Sequence, residues 1–122
     1  MKTLLSICAV ALFSTAIYVS LPEPISPSIS DSGVCVTEFN AGFNKSNSVD
    51  WLDQLNDCKG RRVDIAVEPA MQKEHRIVVV PTIIVFNNGE EVKRFQANIM
   101  MQLEATQEEV QEAVDEIIMS AF

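Results

Sequence analysis

The chain has 122 residues, which fits one domain, and 48% of them are hydrophobic, which is enough for one packed core. Its 17 acidic residues outnumber its 9 basic residues and give a formal net charge of −8. This composition excludes the basic footprint of a nucleic-acid-binding protein, and we interpret the acidity mainly as a contribution to solubility.

The first 20 residues, MKTLLSICAVALFSTAIYVS, differ in character from the rest of the chain. One cation, Lys2, precedes an uncharged and mostly apolar run from Leu4 to Val19. This layout is typical of a secretory signal, and the run is shorter than the roughly 20 residues of a membrane-spanning helix. It predicts a cleaved signal peptide or an uncleaved membrane anchor, with a buried helix as a third alternative. The protein is therefore expected to be exported (periplasmic, secreted or in the secretory-pathway lumen) or membrane-anchored, with membrane contact only through residues 1–20.

Residues 21–33, LPEPISPSISDSG, have the composition of a linker. They contain three prolines and four serines, which favours an extended and solvated segment. The folded domain is therefore predicted to span residues 34–122.

Within this domain, strands and helices are predicted to alternate. The predicted order is strand, helix, strand, short helix, strand, strand and helix, at residues 34–41, 47–60, 62–68, 69–75, 82–86, 90–97 and from 106 onward. A crossover helix makes the first two strands parallel, whereas a hairpin turn at Asn88-Gly89 makes the last two antiparallel. The predicted fold class is α/β, a four-stranded mixed sheet with helices on both faces.

The two longer helices are predicted from their apolar spacing. In residues 47–60, one helical face would carry Trp51, Leu52, Leu55 and Cys58. The last helix has a capping box formed by Thr106 and Glu109, which indicates where it begins. Its apolar stripe is predicted to comprise Val110, Ala113, Val114, Ile117 and Ile118.

This element order and the stretch VVVPTIIVFNNGEEV resemble the thioredoxin family. Members of that family carry a cis proline directly before a buried strand, and here that proline would be Pro81, followed by Thr82 and the Asn-Gly hairpin. The stretch EFNAGF, Glu38–Phe43, is similar to the family's strand that leads into the active site. The resemblance covers residues 34–122. It implies a minimal thioredoxin-like fold without the family's first strand and helix.

The resemblance also implies where a functional site would lie. It assigns the family's Cys-x-x-Cys motif to four residues that contain no thiol, Asn44, Lys45, Ser46 and Asn47. An amide cannot become a thiolate, so dithiol exchange is not expected there and no catalytic residue is assigned.

The family's partner-binding edge, where an extended peptide pairs with the backbone beside the proline, would be formed by Phe43, Val80, Pro81 and Thr82. Glu38 stands at the position of the family's buried acid. Without a thiol to assist, we expect it at the surface or paired with Lys45.

The remaining thiols and the single histidine give little indication of chemistry. Cys35 and Cys58 are predicted on opposite sides of the sheet, which favours free thiols over a disulfide. His75 is the only histidine, so a histidine cluster for a metal is excluded, and we expect it at the surface. No cofactor and no metal are predicted.

A methionine-rich stretch, NIMMQLEA at residues 98–105, precedes the last helix. Its alternating apolar residues predict an extension of the edge strand, and methionine-rich surfaces are typical of adaptable binding. The alternative is that the stretch covers core left open by the missing first strand and helix. A second contact surface is therefore predicted at Ile99, Met100, Met101 and Leu103.

Three functions remain open at this point. The first is a redox-inactive thioredoxin-like module, exported or anchored, that binds a protein or an extended peptide at the Pro81 edge. The second is a thiol-disulfide oxidoreductase of the thioredoxin family that uses Cys35 or Cys58. The third is a structural accessory subunit that makes its contacts through residues 98–105. The sequence decides neither the partner nor the oligomeric state.

Overall fold

The computed structural model describes residues 32–122 of the chain. The predicted signal or anchor, and all but the end of the predicted linker, lie outside the described residues. Within residues 32–122, none of the helices combines the length and apolar character needed to cross a membrane.

Four strands form one mixed sheet in the order β2-β1-β3-β4. They are β1 (Val34–Asn40), β2 (Lys59–Asp64), β3 (Thr82–Asn87) and β4 (Glu90–Gln96). The central strand β1 pairs parallel with β2 and antiparallel with β3, and β4 pairs antiparallel with β3. The predicted four-stranded mixed sheet and both predicted strand directions are therefore confirmed.

Two α-helices pack on opposite faces of this sheet, as predicted. On one face, α1 (Pro69–Glu74) buries Met71 against Phe39 and Phe86. On the other face, α2 (Gln107–Ser120) packs against the alternate residues of β1 and β3. Its buried stripe comprises Val110, Ala113, Val114 and Ile117, with Ile118 partly buried.

Local sequence signals account for the hairpin and for the start of α2. Asn88 and Gly89 both have positive φ, at 52° and 84°, as a type I′ turn requires. The Thr106 hydroxyl accepts a hydrogen bond of 3.2 Å from the Glu109 backbone N–H, which caps α2. These two predictions depend on residues close together in sequence, and both are confirmed.

The predicted crossover helix at residues 47–60 is wrong. The structure has two short 3-10 segments instead, Gly42–Asn47 and Leu52–Gln54. Asparagine, aspartate and serine are frequent in this region, and these residues compete with helical hydrogen bonding. The backbone of Val49 is also held by Glu38 and Arg62, so its N–H and C=O do not serve a helix. Leu52 and Leu55 still reach the core on the α2 face.

The second strand lies earlier than predicted, at Lys59–Asp64 rather than at residues 62–68. Its parallel pairing with β1 begins at Lys59 and ends at Asp64. The Asp64 side chain then accepts a 2.9 Å hydrogen bond from the Ala66 N–H, and its carbonyl accepts bonds from Val67 and Glu68. These bonds turn the chain away from the sheet.

His75 is not the surface residue that the sequence suggested. Its ring lies between Phe39 and Phe86, with both ring centroids at 5.3 Å. Its Nε2 is buried and has no hydrogen-bond partner among the described residues. Burial, the largest cause, lowers the pKa of His75 below its usual value.

Candidate functional site

Asn44, the first of the four residues predicted at the degenerate motif, lies directly beside the backbone of Val80. It is buried, and its side-chain Nδ2 lies within hydrogen-bond distance of three acceptors that share its two hydrogens, Asn40 Oδ1 at 3.2 Å, the Val80 carbonyl at 3.3 Å and the Met101 carbonyl at 3.2 Å. Asn47 in turn donates from Nδ2 to Asn44 Oδ1 at 2.8 Å. The two asparagines therefore belong to a closed amide network beside the proline.

The rest of that motif faces solvent. Lys45 and Ser46 are exposed. The network continues below them, because Asn40 Nδ2 donates to the Asn44 carbonyl at 3.1 Å and to Ser48 Oγ at 2.7 Å. These side chains stabilise the 3-10 segment after β1, and they include neither a thiol nor a carboxylate.

The predicted partner-binding residues differ widely in access. The Val80–Pro81 peptide bond is cis, and both residues are buried. Thr82 is also fully buried, and its hydroxyl donates to the Val79 carbonyl at 2.7 Å. Phe43 is 78% exposed. Of the four side chains, Phe43 is the one that a partner can reach directly.

The methionine-rich stretch does not extend β4, so the predicted edge strand there is wrong. Residues 98–102 form a turn, here called the Met101 turn. Asn98 Oδ1 accepts hydrogen bonds from the N–H groups of Met100 and Gln102, at 2.9 and 3.2 Å. Met101 has a φ of 58°, and the Asn98 N–H donates to the Gln102 carbonyl at 3.0 Å. The Asn98 side chain thus accepts hydrogen bonds from backbone N–H groups that would pair with a neighbouring strand if β4 continued.

The predicted second contact surface is divided by this turn. Leu103 is partly buried and packs against the core on the α2 face. Met100 is exposed, whereas Ile99 and Met101 line a groove together with residues near the proline. Core covering therefore applies to Leu103, whereas the contact surface at the other residues stays a prediction.

This groove, here called the Pro81 groove, has a volume of about 500 Å³. Five segments build it, from the end of β1, the turn after β2, α1, the approach to Pro81 and the Met101 turn. Its apolar walls include Phe43, Ile65, Ile77, Val78, Ile99 and Met101. Within the described part of the chain, its lining contains no charged side chain, and its polar side chains are Gln72 and Asn98. An uncharged, mostly apolar ligand suits such a lining.

Several groove residues were not identified from the sequence. Val78, in a run of three valines that was assigned to no element, is 77% exposed. Ile65 was assigned to a strand, but it lies in the turn after β2. An uncharged run before a proline does not indicate a groove, so only the tertiary structure shows that these side chains meet.

Glu38 is neither exposed nor paired with Lys45, so that expectation is wrong. Its side chain is buried and forms an ion pair with Arg62, which lies opposite it in the β1–β2 register. Glu38 Oε2 also accepts from the Val49 N–H at 2.8 Å, while Arg62 Nη2 donates to the Val49 carbonyl at 2.7 Å. This arrangement attaches the crossover segment to β1 and β2.

The two cysteines of the domain are free and lie apart from the groove lining. Cys35 belongs to the core on the α1 face, and Cys58 packs against the core on the α2 face. Burial, followed by the nearby Cys35, Asp57 and Asp115, raises the pKa of Cys58 to about 11. The thiolate, which is the reactive form, is therefore scarce at Cys58 near neutral pH.

Residues 32–122 also contain no group of three or more histidine, cysteine or acidic side chains arranged to hold a metal ion.

Comparison with known proteins supports the fold. No protein-family model matches the sequence, and no curated protein matches it either. Among solved structures, the chain is similar to a mutant thioredoxin from Halobacterium salinarum NRC-1, with a TM-score of 0.58 and 18% identity over 75% of this chain and 80% of that one. It is also similar to a designed protein, with a TM-score of 0.56 and 17% identity over 73% and 84% of the two chains.

A third similar structure comes from work on the thiol resolving mechanism of a yeast mitochondrial 1-Cys peroxiredoxin. Its TM-score is 0.52 and its identity 13%, over 71% of this chain and 81% of that one. At such identities the similarity establishes the fold alone. The chain has a thioredoxin-like fold.

Proposed function

We propose that this chain is a redox-inactive, thioredoxin-like protein-binding module that is exported or membrane-anchored. It holds an extended, uncharged segment of a protein partner in the Pro81 groove. The observation that carries the proposal is the position of the Asn44 amide. It lies beside Val80, where the resemblance would put a reactive thiol, next to an open apolar groove.

The chemistry of the groove supports an extended apolar partner. Phe43, Val78 and Ile99 expose 78%, 77% and 99% of their surface, and they lie around one concave surface. Exposed apolar side chains that gather at one site mark interaction surfaces, whereas single scattered ones need no explanation. Ile99 and Met101 belong to this same groove, so the accessory-subunit alternative and the binding-module proposal use one surface.

The oxidoreductase alternative has less support. Its two candidate thiols are Cys35, which is buried in the core, and Cys58, whose pKa is raised to about 11. Neither thiol lines the groove where a disulfide substrate would be held. Export or anchoring rests on the pattern of residues 1–20, with Lys2 before an apolar run.

A selection experiment tests the proposal. A phage-displayed library of random linear peptides is selected against the protein, and the affinity of recovered peptides is measured by fluorescence anisotropy. We expect apolar, uncharged peptides, and we expect Val78→Glu to weaken their binding at least about tenfold, or roughly 1.4 kcal/mol. A buried carboxylate without a partner is costly, so its introduction opposes an apolar ligand.

Val92→Glu is the matched control, because Val92 is an exposed valine on β4 outside the groove lining. It should leave the affinity unchanged. Peptides that bind the Val78→Glu variant as well as the original protein, or that lose affinity equally with Val92→Glu, would contradict binding in the Pro81 groove.

A further inference from the structure

We propose that Asn44 is the positioning residue that holds the Met101 turn against the Pro81 groove. Its side-chain amide thereby fixes the position of the groove lining that the Met101 turn supplies. The inference rests on the proposed function, because it concerns the same groove. It assigns to Asn44 a role in shaping the binding surface, in addition to its place in the polar network.

The hydrogen bonds of the Met101 turn carry this inference. Most of them join residues of the turn to one another. The N–H groups of Met100, Met101 and Gln102 donate to the side chain or carbonyl of Asn98, and the Asn98 N–H donates to the Gln102 carbonyl. Among residues 32–122, the hydrogen bond that joins residues 98–102 to another segment comes from Asn44 Nδ2 to the Met101 carbonyl. The same nitrogen bonds the Val80 carbonyl, so one amide connects the Met101 turn to the segment that leads to Pro81.

The backbone conformation of Met101 explains why this bond matters. Its φ of 58° lies in the left-handed region, which residues other than glycine seldom adopt. A residue keeps such a conformation when surrounding contacts compensate for its cost. The Met101 N–H bonds to the Asn98 carbonyl within the turn, and the Met101 carbonyl accepts the bond from the buried Asn44 amide, so Asn44 supplies the polar contact from outside the turn.

Only a donor fits at the place of the Asn44 Nδ2 group. The Nδ2 group faces two backbone carbonyls and the Asn40 side-chain oxygen, all of which accept hydrogen bonds. An aspartate carboxylate has nearly the same shape as the amide, but it accepts only and would repel these oxygens. A protonated carboxyl regains one donor.

The test compares the original protein with Asn44→Asp by NMR across a pH series. Near neutral pH, we expect shifted signals for the Met101 and Gln102 amides and an about tenfold loss of their hydrogen-exchange protection. The amides of β1 and β3 should keep theirs. As the pH falls and the carboxyl protonates, the signals should return towards those of the original protein at the same pH. A general loss of packing would not reverse in this way.

Asn56→Asp is the matched control, because Asn56 is exposed and its side chain makes no hydrogen bond among the described residues. It should leave the turn unchanged at every pH. If Asn44→Asp does not fold, Asn44→Ala replaces it, with the same expected loss of protection and no recovery at low pH. A turn that keeps its protection in the folded variant would overturn the inference.

Peptide affinity separates this inference from the proposed function. Peptides selected on the original protein should bind Asn44→Asp at least about threefold more weakly near neutral pH, and a released turn with unchanged affinity would overturn the inference. If the turn is released but no peptide binds the groove of the original protein, the proposed function fails. The attachment of the turn by Asn44 would then still be supported.

Discussion

At the scale of single residues, Asn44 and His75 differ in how far the sequence could place them. The position of Asn44 after β1 was predictable, because strand patterns and the EFNAGF stretch fix the local order. Its hydrogen bonds were not, because Val80 and Met101 lie far away along the chain. His75 was misplaced because a polar residue in a short helix suggests exposure, whereas two phenylalanine rings enclose it.

The buried His75 predicts a pH dependence of stability. Its pKa is lowered on folding, so the unfolded chain binds more protons than the folded one between the folded value and about 6.5. This contribution to the free energy of unfolding is complete above about pH 6.5 and is lost as the pH falls. The slope cannot exceed about 1.4 kcal/mol per pH unit, the limit for one proton.

Urea unfolding of the original protein and of His75→Leu measures this effect between about pH 7.5 and 5.5. The variant should show a smaller fall in stability over this window. Glu91, whose pKa is lowered mainly by its hydrogen bond with Arg94, contributes at lower pH and does not interfere. Equal slopes for both proteins would contradict a neutral buried His75.

At the scale of elements, α2 and the hairpin were predictable and the crossover was not. A capping box, an apolar stripe and an Asn-Gly turn are local signals, and they specify α2 and the β3–β4 hairpin. The crossover segment has similar apolar spacing but forms no α-helix, because Glu38 and Arg62 hold the backbone of Val49. That arrangement depends on the β1–β2 register, which local patterns do not reveal.

Removal of Arg62 should therefore destabilise the protein. Arg62→Leu leaves the buried Glu38 carboxylate without its cation and releases the Val49 carbonyl. We expect a loss of roughly 2–3 kcal/mol in the free energy of unfolding. This loss is smaller than the one expected when a fully buried ion pair is broken, because 47% of the Arg62 side chain is exposed.

Arg61→Leu is the control, since Arg61 is an exposed arginine on the same strand with no ion pair among the described residues. It should change stability by less than about 0.5 kcal/mol. Adding Glu38→Gln to Arg62→Leu should recover part of the loss, because the unpaired charge is removed. A similar effect of both arginine changes would show that the Glu38 ion pair does not hold the crossover.

At the scale of the whole molecule, the sequence specifies the sheet better than the surface. The number of strands and the direction within the first and last pairs follow from element order and turn residues, whereas the spatial order β2-β1-β3-β4 comes from the structure. The Pro81 groove instead requires five segments to meet, two of which, the turn after β2 and the Met101 turn, were assigned to strands. The proposed binding surface is therefore the part that only the structure supplies.

We expect a partner to bind in the Pro81 groove without thiol chemistry. The most direct measurement is NMR titration of the ¹⁵N-labelled protein with a selected peptide, before and after alkylation of the accessible thiols. We predict that the shifted amides gather at the groove-lining residues 41, 43, 65–66, 77–80, 98–99 and 101, and that alkylation leaves this pattern unchanged. Shifts centred on Cys35 or Cys58, or binding that is lost on alkylation, would contradict the claim.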